Sequence, residues 1–276
     1  MTGTRTQRWL LGTLAAVLAL LWAFPVYWMI NSSFLPHNRI RNAEPTFVPL
    51  DGGLDAYQRA FGGGFFNALR ISATITLITV GVSLVLAFLA ALALSRFRFR
   101  GRRSFLITVL IIQMIPAEGL FISQFKQLET WDLLNSVAGL SLLYIATLLP
   151  FTIWLLRGFA DGVPIELEEA AMVDGCSRTQ AFLRVTLPLL APGLAASAVY
   201  GFLQAWNEFS LALVVMNRPE NMTLPLWLRT FTESNRVSDW AGIMAGSTLI
   251  AVPVIIFFLI VQRRMTAGLV SGAVKG

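Results

Sequence analysis

Residues 67–103 decide the fold, and they read NALRISATITLITVGVSLVLAFLAALALSRFRFRGRR. From Asn67 to Leu94 the only charged residue is Arg70. Because about 20 apolar residues of helix cross the hydrocarbon core of a bilayer, this run is long enough to span a membrane and to tilt or project beyond it. Five arginines follow, at positions 96, 98, 100, 102 and 103. Since basic residues concentrate in cytoplasmic loops, we predict a membrane-spanning helix whose C-terminal end lies in the cytoplasm.

The rest of the chain repeats this pattern of apolar runs and short polar connections. Of its 276 residues, 56% are hydrophobic and only 13% are charged, which is far from the composition of a soluble domain. The sequence therefore predicts an all-α integral membrane protein, with a single transmembrane domain over residues 1–276. Its six predicted transmembrane helices cover residues 9–30, 67–94, 104–125, 137–156, 189–216 and 241–261.

The basic residues of the other connections give the orientation. With six spans, one side of the membrane receives the arginines at positions 96–103 together with Arg5, Arg8, Arg157, Arg178, Arg184, Arg263, Arg264 and Lys275. By the positive-inside rule that side is cytoplasmic. We therefore predict that both termini are cytoplasmic and that the chain lies in the cell membrane, plasma or inner, as a multi-pass protein.

The net charge of +6 does not indicate a nucleic-acid partner, because the arginines fall in short segments between apolar runs rather than along one face. The run at positions 96–103 is expected to contact the anionic headgroups of membrane lipids. With one cysteine, Cys176, and one histidine, His37, the chain has no pair of thiols for a disulfide. We predict no metal site.

The connection between the fourth and fifth spans, residues 162–188, reads GVPIELEEAAMVDGCSRTQAFLRVTLP. Pro164 suits the first turn of a helix, three glutamates favour the positive N-terminal end of that helix, and Gly175 suits its C-terminal cap. Ser177 and Gln180 form a capping box for a second helix. The segment therefore predicts two short helices that expose a compact surface to a partner protein.

The same segment closely resembles the signature loop of ABC importer permeases, written E-A-A, three residues, G, nine residues, an aliphatic residue, one residue, L-P. Every spacing is kept, at Glu169, Ala170, Ala171, Gly175, Val185, Leu187 and Pro188. In that family the loop forms a coupling helix that docks into a groove on the ATPase subunit. The resemblance implies a cytoplasmic coupling helix between helices 4 and 5, with ATPase contacts at Glu169, Ala170, Ala171, Asp174, Gly175, Leu187 and Pro188.

Three further stretches are similar to the carbohydrate branch of this family, in particular to the smaller permease of maltose-type importers. They are PVYWMINSS at residues 25–33, AWNEF at residues 205–209 and GLVSGAVKG at residues 268–276. The family's C-terminal tail reaches into the ATPase dimer interface, which implies ATPase contacts for Gly272 and Lys275. The expected cargo is a sugar, an oligosaccharide or a disaccharide.

The resemblance also implies partners. They are a second homologous permease, a dimer of ATPase subunits and an extracytoplasmic solute-binding protein. ATP and Mg are expected on the ATPase, and no cofactor is expected on this chain. The chain has no P-loop, no H-E-x-x-H and no G-x-S-x-G motif, so we do not expect an enzyme.

Polar residues within the predicted spans indicate a solute path, because an unpaired polar group in hydrocarbon costs several kcal/mol. Amides, carboxylates and aromatic faces also bind uncharged sugars. An alternative is that these residues pair with a neighbouring helix or with the second permease. The candidates are Gln113 and Glu118 in the third span and Gln204, Trp206, Asn207 and Glu208 in the fifth.

A secondary transporter driven by an ion gradient is the alternative function. Such a protein would not need the pattern from Glu169 to Pro188, and its activity would survive without an ATPase subunit. The sequence also contains no internal repeat strong enough to indicate the inverted halves of a secondary transporter.

Overall fold

The structure, a computed structural model, describes residues 5–42, 44–233 and 238–272, and this part of the chain contains helices and no β-strand. The all-helical prediction is therefore confirmed. In chain order the helices are α1 (Arg5–Phe34), α2 (His37–Ile40), α3 (Asp55–Gly62), α4 (Phe65–Arg96), α5 (Arg102–Gln113), α6 (Phe121–Thr130), α7 (Val137–Asp161), α8 (Glu166–Val173), α9 (Arg178–Ala181), α10 (Leu187–Leu189), α11 (Ala191–Asn207), α12 (Ser210–Val215), α13 (Leu224–Glu233) and α14 (Trp240–Gly272).

Four helices are long and apolar enough to cross a membrane on their own: α1, α4, α7 and α14. They contain the first, second, fourth and sixth predicted spans. Within the described residues the count rises to six when two bent helix pairs are each taken as one span. The structure thus supports a polytopic membrane protein with four to six spans.

The third predicted span, residues 104–125, is broken. α5 stops at Gln113, and a short 3₁₀ turn, Ala117–Leu120, leads into α6 at an angle of 90°. Pro116 explains the break, because proline lacks a backbone N–H and disfavours helical geometry at the residue before it.

The fifth predicted span, residues 189–216, is also discontinuous. A π-helical turn, Phe182–Thr186, and α10 lead into α11, and the chain bends by 59° between residues 178–189 and 191–207. α11 then ends at Asn207, and α12 begins at Ser210 after an extended residue, Glu208. The periodicity of an apolar run does not reveal such breaks, since each piece is still helical and apolar.

Contacts within the chain divide it into two compact units, one formed by Met1–Phe66 with Trp227–Pro253 and the other by Asn67–Leu226 with Val254–Gly276. The single domain over residues 1–276 and the exact span limits remain predictions. In the first unit, Arg59 donates two hydrogen bonds to Asp239, of 3.0 and 3.2 Å, and Asp239 caps α14 by accepting from the N–H of Gly242.

The second unit is held together by close packing of α4, α7 and α11. Ala87, Ala91 and Leu94 of α4 are buried against Ile153 and Leu156 of α7. A Cβ at Gly193 of α11 would lie 2.5 Å from the ring of Phe159, so glycine lets α11 approach α7. Lipid tails are as apolar as leucine, and therefore small residues that permit close packing stabilise such contacts more than the exclusion of water does.

Candidate docking segment and polar cavity

The first candidate site is the segment between α7 and α11, residues 162–188, and it contains the two short helices that the sequence predicts. α8 begins at Glu166, two residues after Pro164, with three glutamates in its first turn. It ends in a Schellman motif, in which Gly175 adopts a φ of +91°. The N–H of Gly175 donates to the carbonyl of Met172 at 3.1 Å, and that of Cys176 to the carbonyl of Ala171 at 3.0 Å. The C-terminal cap at Gly175 is therefore confirmed.

α9 begins with the predicted capping box. The hydroxyl of Ser177 accepts from the N–H of Gln180 at 3.3 Å, and the side-chain oxygen of Gln180 accepts from the N–H of Ser177 at 2.9 Å. The π-helical turn and α10 follow, and Leu187 and Pro188 lie in α10.

Most of α8 is open to the surroundings and carries several large apolar side chains. Val173 is 88% exposed, and the other large apolar side chains on or next to the helix are more than a third exposed: Ile165, Leu167 and Met172. Of the residues predicted to contact an ATPase, Ala171 and Leu187 are half-buried, whereas Glu169, Ala170, Asp174, Gly175 and Pro188 are exposed. We call the exposed residues 165–175 of this segment the α8 face.

One residue of α8, Glu168, ties the helix to other helices of the second unit. Glu168 forms an ion pair with Arg96, the last residue of α4, with Nε and Oε1 3.2 Å apart. The same Oε1 accepts a hydrogen bond of 2.6 Å from the hydroxyl of Thr186 in the π-helical turn. Arg96 also donates to the carbonyl of Val163 at 3.0 Å. The side chains of Arg96 and Glu168 are each only 13% exposed.

The second candidate site is a cavity of about 350 Å³ in the second compact unit. It lies where both broken spans meet α7. We call it the polar cavity, because nine of its fifteen lining residues carry polar side chains: Glu118, Gln124, Tyr144, Thr147, Tyr200, Gln204, Asn207, Glu208 and Ser210.

Four of the six predicted solute-path residues line the polar cavity: Glu118, Gln204, Asn207 and Glu208. The other two do not. Gln113 ends α5 before the bend. Trp206 is buried, with its ring stacked on that of Phe202 at a centroid distance of 5.2 Å.

Glu208 organises the break between α11 and α12. Its Oε1 accepts from the N–H of Leu211 at 2.7 Å, and its Oε2 accepts from the N–H of Ala212 at 3.0 Å. Oε2 also accepts a 2.6 Å hydrogen bond from the hydroxyl of Tyr144, which is buried on α7. Glu208 therefore caps α12 and fixes it to α7, while its side chain still borders the cavity.

The amides of the cavity retain capacity for a ligand. The side-chain oxygen of Gln124 is buried without a hydrogen-bond partner in the described part of the chain. The amide of Gln204 donates only a long bond of 3.3 Å to the hydroxyl of Tyr200. We did not select Gln124 from the sequence, although it is a polar residue inside the third predicted span and the signal that selected Glu118 also applies to it.

The C-terminal candidates fall at the edge of the described chain. Gly272 is the last residue of α14. Lys275 lies outside the described residues. Within the described ranges, no group of three or more histidine, cysteine, aspartate and glutamate side chains could hold a metal ion.

Comparison with known proteins agrees with these features. The family model described as "Binding-protein-dependent transport system inner membrane component" matches residues 83–270. The diacetylchitobiose uptake system permease protein DasC of Streptomyces coelicolor is 44% identical over 263 residues, or 95% of each chain. The trehalose transport system permease protein SugB of Mycobacterium tuberculosis is 37% identical over 279 residues, and the alignment covers 100% of both chains.

A solved structure has the same fold. It is a bacterial ABC transporter involved in the import of the acidic polysaccharide alginate, and the match has a TM-score of 0.78 at 24% identity over 95% of this chain and 99% of the other. The resemblance to ABC importer permeases is thus confirmed, as is the multi-pass location in the membrane. This chain belongs to the family of binding-protein-dependent transport system inner membrane components.

Proposed function

We propose that the chain is a membrane-spanning permease subunit of an ATP-driven sugar importer. It would work with a second homologous permease, a dimer of ATPase subunits that binds ATP and Mg, and an extracytoplasmic solute-binding protein. The printed names of its relatives support a sugar as cargo, since they include permeases for diacetylchitobiose, trehalose and galactooligosaccharides. An ion-gradient-driven transporter is not favoured.

The α8 face is the observation that carries the coupling role. A soluble surface rarely concentrates large exposed apolar side chains on one short helix without a partner. Here Val173, Met172, Leu167 and Ile165 are exposed next to Glu169, which is positioned for charge-assisted hydrogen bonds with a partner. We assign this face to the ATPase, with the arginine-rich end of α4 and both chain termini on the cytoplasmic side. Gly272 and Lys275 of the C-terminal tail would contact the same ATPase dimer.

The polar cavity is assigned to the solute path. Its amides and hydroxyls can exchange hydrogen bonds with sugar hydroxyls, and Tyr200 and Phe209 offer aromatic faces. A cavity of about 350 Å³ lies near the lower end of the range of about 300–1,000 Å³ for small-molecule sites. It would therefore hold part of an oligosaccharide, with the second permease completing the path.

The breaks in the third and fifth spans are the proposed hinges for transport. α5 and α6 bend at Pro116, and α11 and α12 separate at Glu208, so both discontinuities border the cavity. Hinges are usually a few loop or terminal residues that absorb changes in φ and ψ. Movement of the ATPase against α8 would be converted into rotation at these breaks, and the cavity would open alternately to either side.

Co-purification with neighbouring gene products tests this function. The detergent-solubilised chain should retain an ATPase and a second permease, and ATP hydrolysis in the reconstituted complex should rise when one sugar-loaded binding protein is added. If no ATPase associates and uptake continues without one, the assignment of the α8 face is wrong and the chain is a secondary transporter.

A further inference from the structure

Arg96 belongs to the arginine-rich run after α4, but its surroundings differ from those of its neighbours. Arg98, Arg100 and Arg103 are exposed, whereas the side chain of Arg96 is 13% exposed and pairs with Glu168. Its Nη2 is buried and has no hydrogen-bond partner in the described part of the chain. Arg98 and its exposed neighbours can meet lipid headgroups, but Arg96 faces the protein.

Glu168 links three parts of the chain through one oxygen. Oε1 lies 3.2 Å from Nε of Arg96 and accepts the 2.6 Å hydrogen bond from Thr186, which is fully buried. Arg96 ends α4, Glu168 lies in the first turn of α8, and Thr186 ends the π-helical turn that leads into α10 and α11. The apolar cluster of Ala160, Val163 and Leu190, with Phe88 and Leu92 packed against it, lies beside this link.

We propose that Arg96 and Glu168 form a latch that makes α8 move together with α4 and with the entry to α11. Arg96 is then a positioning residue, since it acts through Glu168 and does not touch the ATPase or the solute. This inference rests on the proposed function and goes beyond it, because it names the contact through which movement of the docked α8 face reaches the membrane helices.

Charge and burial are the reasons why this contact transmits movement. Two opposite charges that are largely removed from water cannot separate without leaving each charge poorly solvated. The link therefore resists separation more strongly than an exposed ion pair, whose charges are taken up by water. The exposed face of the same helix, with Glu169 and Val173, remains free for the partner.

The test uses the complete reconstituted importer and measures sugar transported per ATP hydrolysed. Glu168→Gln keeps an oxygen that can accept from Thr186 but removes the charge. We expect uptake per ATP to fall by about tenfold or more, because the variant leaves the Arg96 charge without its partner. The ATPase should still co-purify in the wild-type ratio, since the α8 face is unchanged.

A matched control removes a charge that the structure leaves exposed and that lies outside the α8 face. Arg98→Gln alters the same arginine-rich run. It should stay within about twofold of wild type, because exposed substitutions rarely change free energies by more than about 0.5 kcal/mol. Wild-type uptake per ATP in Glu168→Gln would overturn the latch, and so would loss of the ATPase from the purified variant.

A crosslink separates transmission from folding. In a Cys176→Ser background, Arg96→Cys and Glu168→Cys should each lose uptake. In the double variant, a short bifunctional maleimide that joins the two cysteines should restore it. A crosslinked protein that remains inactive would show that α4 and α8 must separate, and failure to crosslink would contradict the contact. If the wild-type complex itself shows no ATP-dependent uptake, the proposed function is wrong.

Discussion

Single residues in the docking segment divide into those that shape α8 and those that face outward. Gly175 shapes it, because its φ of +91° is a conformation that residues with a Cβ adopt at a cost of about 1–2 kcal/mol. Glu168 faces the protein, and Glu169, its neighbour, is exposed. Adjacent glutamates on one helix therefore have different surroundings and different expected roles.

The first prediction concerns Glu169. Glu169→Lys should abolish uptake and detach or uncouple the ATPase, because it replaces an acceptor of charge-assisted hydrogen bonds with a cation on the proposed docking face. Loss of such a bond, worth about 1.5–3 kcal/mol, corresponds to a fall of about tenfold or more in affinity. Co-purification with the ATPase measures the fall in affinity, and an uptake assay measures the loss of transport. Glu166→Lys makes the same charge change one turn earlier, and an equal loss in that control would remove the special role of Glu169.

A second prediction at this scale concerns Gly175. Gly175→Asp should abolish uptake while leaving the permease inserted. Gly175→Asn has nearly the same shape, and asparagine and aspartate both tolerate a left-handed backbone better than other residues. We expect the asparagine variant to lose uptake as well, because any side chain at this exposed turn would crowd the partner. Retained uptake in the asparagine variant would show that the charge of aspartate, and not the size of a side chain, disrupts docking.

At the scale of helices, the sequence alone predicts structural features that depend on residues close together in the chain. The caps of α8 and α9 follow from Gly175, Ser177 and Gln180, because capping involves residues within one or two turns. The partners of Arg96 and Glu208 could not be predicted in the same way. Arg96 bonds to a carbonyl 67 residues away, and Glu208 bonds to a tyrosine 64 residues away. A single sequence has no signal for such pairs.

The break between α11 and α12 gives a third prediction. Tyr144→Phe removes a 2.6 Å hydrogen bond to the carboxylate of Glu208, and hydrogen bonds to charged groups contribute about 1.5–3 kcal/mol. The melting temperature of the purified protein in detergent should fall accordingly. Tyr200→Phe removes only the 3.3 Å contact with Gln204 and should have a much smaller effect. Equal melting temperatures for Tyr144→Phe and wild type would show that Glu208 does not depend on this bond.

At the scale of the whole chain, four of the residues predicted for the solute path come from separate spans and line one cavity. Glu118 and Gln204 border one cavity because α5 and α6 bend at Pro116 and because α11 stops at Asn207. Hydropathy could place each residue in a span but could not tell which residues share a cavity. Gln113 satisfied the same criterion as Glu118, yet it lies in α5, before the bend.

The fourth prediction compares residues that line the polar cavity with Gln113, which does not line it. Gln204→Ala and Asn207→Ala should raise the sugar concentration needed for half-maximal uptake, because each removes an amide from the cavity wall. The increase should be about two- to tenfold for one neutral hydrogen bond of about 0.5–1.5 kcal/mol. Gln113→Ala should leave uptake unchanged. If all three variants behave alike, the polar cavity is not on the solute path.

The end of α11 at the polar cavity has an electrostatic consequence. The C-terminal end of a helix carries a partial negative charge, and the carboxyl groups of Glu118 and Glu208 border the same space. No lysine or arginine is among the described residues that line it. Under the proposed function, we therefore expect the path to favour neutral or cationic sugars, such as those with a free amino group, over anionic ones.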